Sequence, residues 1–249
     1  MLSFLKNKKQ KIKEEVVAQQ IPVDMKEAAF EKLYNLCKPF TMTSTERMYS
    51  LYKAVNYILE NNIPGDFVEC GVWKGGSALL IAQMLSDKNI VDRKVILYDT
   101  YEGMSEPTEQ DKNIVGEPAA SLLQESSIEI QDSIWCYSGF EEVKHNLSLS
   151  GLLPECIIMI KGKVEDTIPS QLPTKSISLL RLDTDWYEST KHELNYLYPL
   201  LNKNGVLIID DYGHWEGCRK AVDEYVLTHN LSILFNRIDN TGRLAIKNF

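Results

Sequence analysis

The chain has no apolar run approaching the 18 or so residues needed to cross a bilayer. Its start, MLSFLKNKKQKIKEE, lacks the order of basic region, apolar core and small-residue cleavage site that marks a secretory signal. Cysteine is scarce. Cys37, Cys70, Cys136, Cys156 and Cys218 are odd in number, scattered, and form no CxxC pair. They read as reduced cytoplasmic thiols packed as small apolar residues. An excess of basic residues is also missing. A net charge of −8 argues against a nucleic-acid surface. Internal repeats, low-complexity tracts and a dividing linker are absent too. What remains is a soluble globular composition, 44% apolar and 25% charged over 249 residues. That length suits one large domain, or a core with an appendage.

The richest stretch is Leu179 to Tyr212, LLRLDTDWYESTKHELNYLYPLLNKNGVLIIDDY. Two buried-strand runs, ISLLRL and VLIID, each lead into a carboxylate pair. The first pair is Asp183 and Asp185, the second Asp210 and Asp211. The helical run between them has the length of a parallel crossover. Parallel neighbours would bring all four acids to the carboxyl edge of the sheet, where open α/β sheets bind ligands. Four acids there repel one another unless a cation sits among them. The pattern therefore predicts an oxygen-ligand metal site. Asp183 and Asp185, two apart at a strand end, could point to the same side. Adjacent Asp210 and Asp211 converge only if the strand has ended and the backbone turns. Helix capping is the structural alternative for such pairs.

The rest of the chain fits one alternating pattern. Residues 1–20 are basic, then polar, and suggest an oligomer-contact arm or a frayed terminus. Residues 23–38 and 44–62 carry helical periodicity, the second capped by Ser44 or Thr45. Phe67 to Cys70 is a short strand, followed by a Gly-rich turn and a helix to about Leu85. Lys94 to Asp99 is the second strand. Its terminal acid is placed to take both hydroxyls of a ribose, or to serve as N-cap of a following helix. Residues 104–117 are polar and lack apolar periodicity, so a mobile lid is expected there. Helical pattern returns near Pro118–Ser126 and Gly139–Leu149. Strands come next at Cys156–Gly162 and in the two runs above, then a helix from about Trp215 to His229. LSILFNRI and RLAIKN predict a closing hairpin. ECGVWKGG does not fit GxGxxG, which disfavours a dinucleotide-dependent dehydrogenase.

The motifs MTSTERMYSLYKAV, PGDFVECGVWKGGS, YDTYEGM, VKHNLSLSGL, KVEDTIP, LRLDTDWYESTKHELNYLYPLL and GVLIIDDYGHWEGCRKAVDEY together resemble the TylF/MycF family. That family comprises macrocin-type, metal-dependent sugar O-methyltransferases. The motifs begin at about residue 40 and run to the end. The resemblance implies a Rossmann-like class I methyltransferase sheet over 63–249. That sheet would be mostly parallel with an antiparallel C-terminal hairpin, behind an N-terminal helical arm over 1–62. It implies S-adenosylmethionine as methyl donor. Glu69, Cys70, Gly71, Val72, Trp73, Gly75 and Ser77 would hold its methionine end, with Asp183 nearby. Asp99 would hold the ribose, with Thr100 and Tyr101 beside the adenosine. Trp73 stands where a middle glycine is common in methyltransferases. Asp183, Asp210 and Asp211 would bind Mg²⁺, and Asp185 would be the base. A homo-oligomer, a dimer or larger, is also implied.

The chemistry agrees with that expectation. A sugar hydroxyl is a poor nucleophile until its pKa is lowered or its proton removed. A hard dication does the first, and carboxylates suit Mg²⁺ while Mn²⁺ and Ca²⁺ share the ligand type. His214 is a rival base, because imidazole titrates nearer neutral pH. His192, on the crossover helix, reads as a packing residue. Two other readings are a catechol-type O-methyltransferase acting on a planar diol, and a non-catalytic nucleotide-binding protein on the same sheet. The small-molecule acceptor itself is not named by the sequence.

Overall fold

A computed structural model of the chain describes residues 21–130 and 133–249. The basic arm proposed for residues 1–20 lies outside them. Seven strands form one sheet: β1 Asp66–Cys70, β2 Val95–Asp99, β3 Ile157–Lys161, β4 Ile177–Leu182, β5 Leu201–Ile209, β6 Asn236–Arg237 and β7 Arg243–Ile246. Their order is β3-β2-β1-β4-β5-β7-β6. The first five are parallel and β7 runs antiparallel to β5.

Buried parallel strands must be apolar on both faces, and these split their residues between two cores. Phe67, Leu97, Leu179 and Ile208 face one side, where helices α1 Ala28–Cys37, α2 Thr45–Glu60, α3 Gly76–Asp87 and α5 Phe140–Ser148 cover them. Val68, Tyr98, Leu180 and Ile209 face the other, beneath α4 Ala119–Gln124, α6 Val164–Thr167, α7 Tyr187–Leu197 and α8 Glu216–Thr228. The helices at 28–60 are not a separate body. Phe30, Met48, Leu51, Val55 and Ile58 share one core with Phe67 and Leu79. Ser44 caps α2 by accepting from Arg47 N at 3.1 Å, as its position suggests.

One sequence expectation is revised by the fold. The run LSILFNRI is not a full strand. Only Asn236 and Arg237 pair with β7, and Leu234 stays 76% exposed. Apolar β-formers at a sheet edge gave the pattern without a partner to complete it. The polar segment 104–117 is anchored at Asp111, while Ile114 and Val115 at its tip are exposed. Asp111 is fully buried there, and its carbonyl accepts from Ala119 N at 2.8 Å.

The chain starts in the middle of the sheet, runs outward through β2 and β3, and returns to β4. That reversal opens a crevice at the carboxyl ends of β1 and β4. Gly71 sits at its base with φ +82°, and a Cβ there would meet the Asp183 carbonyl at 1.9 Å. Only glycine permits both the turn and that approach.

Candidate active site

The crevice is a cleft of about 240 Å³. From the expected donor-binding set, Gly71, Val72, Trp73, Ser77, Asp99, Thr100 and Asp183 line it. Asp185, Asp210 and Asp211 line it too. Glu69, Cys70, Gly75, Tyr101 and His214 do not. Glu69 and Cys70 lie wholly beneath the surface. Gly75 has φ +86° and serves as N-cap of α3. The Tyr101 ring packs edge-on against Phe140, inside the core. The His214 ring stands edge-on to Trp215 at 4.7 Å between centroids. Burial, then the charge of Arg47, lowers its pKa.

Asp99 closes β2, but no helix follows for it to cap, since α4 begins only at Ala119; its carboxylate engages backbone N–H groups instead. Its Oδ2 accepts from Val72 N at 2.6 Å and Trp73 N at 3.2 Å, and its Oδ1 from Tyr101 N at 2.6 Å. The carboxylate thus pins the Gly-rich turn to the end of β2. Burial pushes its pKa up against the pull of those N–H groups. Asp99 also lines the cleft, but its three backbone hydrogen bonds shape the turn.

Two arginines escaped the sequence reading. Arg181 is the register partner of Glu69 on the adjacent parallel strand, and is 3% exposed. Its guanidinium pairs with Glu69, reaches Asp183 Oδ2 at 2.7 Å, and Asp210 Oδ1 at 2.8 Å. Ser77 donates to the same Glu69 carboxylate. Arg47, in the first turn of α2, pairs with Asp210 and reaches Asp239 Oδ2 at 3.0 Å. An arginine within ISLLRL and another on an amphipathic helix carry no local signature. A surplus of strand-end acids was the one available hint that fixed cations had to exist.

The arginines divide the acids. Asp210 is held between Arg47 and Arg181. The resemblance had grouped it with Asp183 and Asp211. Here the carboxylates that converge are Asp183, Asp185 and Asp211, with one oxygen of each within 4.8 Å of the others. Backbone turns bring them together. β4 ends at Leu182, and Asp185 sits just beyond it in the left-handed region at φ +67°. β5 ends at Ile209, so Asp210 and Asp211 sit on the bend after it. Burial pushes the Asp185 carboxyl up to about 7. Burial and neighbouring acids push Asp183 and Asp211 well above the ordinary range. Asp211 Oδ2 is buried without a hydrogen-bond partner. Three hard oxygen donors, with only Asp183 in an ion pair among the described residues (to Arg181) and one oxygen of Asp211 orphaned, fit a small divalent cation.

The far wall carries residues that motif reading had not assigned to the cleft: Phe40, Thr41, Met42 and Thr43 from the segment before α2. They are placed by Gly76, whose hydrogen lies against the Phe40 carbonyl; a Cβ there would meet it at 2.6 Å.

Comparison with known proteins agrees with this architecture. The macrocin-O-methyltransferase (TylF) family model matches residues 4–245, well ahead of the first motif read from sequence. Demethyldecarbamoylnovobiocin O-methyltransferase of Streptomyces niveus is 33% identical over 202 residues, covering 81% of this chain and 73% of its own. Mycinamicin III 3''-O-methyltransferase of Micromonospora griseorubida is 32% identical, covering 81% and 76%. The structure of the O-methyltransferase NovP superposes with a TM-score of 0.71 at 31% identity, over 84% of this chain and 83% of that one. The calicheamicin methyltransferase CalS11, at 17% identity and a TM-score of 0.61, shares the fold over 87% and 90%. With the fold, the acid cluster and these likenesses in place, the chain belongs to the macrocin O-methyltransferase family.

Proposed function

We propose that this enzyme transfers a methyl group from S-adenosylmethionine to a hydroxyl of a sugar or glycosylated small molecule, with a divalent cation, Mg²⁺ by ligand type, at the acid cluster. The observation that carries the reading is the convergence of Asp183, Asp185 and Asp211 beside the Gly71 turn. A relative named for a rhamnosyl-bearing tetracenomycin 4'-O-methylation, 34% identical over 202 residues, supports a sugar acceptor over a planar diol.

When bound, the sulfonium supplies the electrophilic methyl and the dication lowers the pKa of an acceptor hydroxyl. Asp183 and Asp211 are the ligands. Asp185 lies within reach of both, with an oxygen within 4.8 Å of theirs, where a carboxylate can act as the base. It takes the acceptor's proton as the oxygen attacks in line. Asp210 keeps Arg181 and Arg47 in place. Val72, Trp73 and Asp99 shape the donor side, and Thr41 to Thr43 border the acceptor side. The five cysteines form no disulfide, and no helix among the described residues is long and apolar enough to cross a membrane. Both observations suit the cytoplasmic setting included in this reading.

The test is transfer of labelled methyl from S-adenosylmethionine to a panel of glycosides and catechols, with and without Mg²⁺. Metal-dependent labelling of a sugar hydroxyl is expected. Labelling confined to catechols would overturn the acceptor assignment.

A further inference from the structure

The N-terminus of α7 adjoins the Asp183–Asp185 turn directly, and its own N-cap residue, Trp186, gives it no side-chain cap. The missing acceptor comes from 76 residues away. Asp111 Oδ1 accepts from Tyr187 N at 2.7 Å, in the first turn of the helix. Asp111 Oδ2 accepts from Thr108 N at 2.7 Å and Thr108 Oγ1 at 2.9 Å. A carboxylate buried in a polar loop is unusual, and here every contact is a donor, one of them at the positive end of a helix. The packing is close. Gly217, on α8, lies so near that a Cβ there would meet Asp111 Oδ1 at 2.0 Å.

The same segment touches both acid-bearing loops. Trp186 Nε1 donates to the Ser105 carbonyl at 3.0 Å. Asn113 bridges Trp215, and Glu216 N donates to the Lys112 carbonyl at 2.8 Å. Trp186 and Trp215 meet edge to face at 4.9 Å, so the two loops also touch each other beneath the segment. At its near end the segment carries Ser105 into the cleft wall, next to Met104. Between these anchors lies Asp185 at φ +67°, a conformation a non-glycine residue keeps only when its surroundings hold it.

We propose that Asp111 is a positioning residue: by fastening segment 105–118 to the N-terminus of α7, it holds the Asp183–Asp185 turn in the geometry that binds the divalent cation. This rests on the metal reading given above. Outer contacts of this kind set ligand orientation, and their loss typically costs about 10- to 100-fold in metal affinity.

The experiment is calorimetric titration of the full chain with Mn²⁺, with affinity for S-adenosylhomocysteine measured in parallel. Asp111→Ala should weaken Mn²⁺ about tenfold or more and leave S-adenosylhomocysteine binding within about twofold, because the Gly71 turn is held separately by Asp99. Asp111→Asn, which keeps an acceptor for Tyr187 N, should recover most of the affinity. Trp186→Phe removes the donor to Ser105 and trims the contact with Trp215, and should weaken Mn²⁺ by a smaller factor; it tests the anchoring of the segment if Asp111→Ala does not fold. Equal Mn²⁺ affinity in wild type, Asp111→Ala and Trp186→Phe overturns the positioning role alone, whatever happens to melting temperature. A wild-type chain that binds no Mn²⁺ removes the metal reading and this inference together.

Discussion

Arg181 is the residue on which the site's electrostatics turn. It is buried against three carboxylates, Glu69, Asp183 and Asp210. Removing one member of a buried ion network leaves the others uncompensated, at a cost of about 3–5 kcal/mol. Arg181→Met should therefore lower unfolding free energy by about that amount in urea denaturation, and Glu69→Gln in the same background should recover part of it. A loss below about 1 kcal/mol would mean that the network is not structurally important. The four strand-end acids were legible in sequence because each pair closes a recognisable apolar run. Their sorting was not. Which acid meets an arginine depends on the β1–β4 register and on where α2 docks, and neither is encoded next to Asp210. Asp99 shows the same limit: its position was evident, but its engagement with three backbone N–H groups depends on how the Gly71 turn folds back.

Among elements, α7 binds the site together. Its N-terminus carries the acid turn, and its body carries Glu193, fully buried on the inner face. Thr184 Oγ1, between Asp183 and Asp185, donates to Glu193 Oε1 at 2.9 Å. Burial pushes the Glu193 carboxyl well above the usual carboxylate range, against the bond from Thr184. Its folded pKa thus exceeds its unfolded one. The stability it contributes is complete below about pH 4 and is lost as pH rises through the folded value. Glu193→Gln cannot ionise, yet it keeps an acceptor for Thr184. Melting curves should show the wild type losing more stability than the variant between about pH 5 and 8. Parallel pH profiles would show that the folded pKa of Glu193 is not raised above its unfolded one. The helix itself was readable from its periodicity, as was the strand run before it. The anchoring of 105–118 was not, since a polar loop with one deeply buried acid looks the same in sequence as a free one. The β6 strand failed in the opposite direction. Its apolar pattern promised pairing that the sheet edge does not supply.

At the scale of the whole molecule, a reversal of strand order places a glycine turn, a set of acids and a wall from the N-terminal helices around one cleft. The alternating pattern made that architecture legible, because parallel strands buried on both faces leave long apolar runs between helices. The contribution of residues 40–47 was not legible. It arises from packing of α2 and α3 across the first core, between segments distant from the acid loops in sequence. The central claim is that Asp183 and Asp211 hold a divalent cation while Asp185 acts as base and Asp210 serves the arginines. The most direct measurement is Mg²⁺ affinity beside turnover for Asp183→Asn, Asp185→Asn, Asp210→Asn and Asp211→Asn. Asp183→Asn and Asp211→Asn should lose metal binding and activity together. Asp185→Asn should keep most of its metal affinity and lose about 10²–10⁴-fold in rate. Asp210→Asn should retain more metal affinity than either ligand variant. Undiminished turnover in a chelator, or full activity in Asp185→Asn, would contradict the claim.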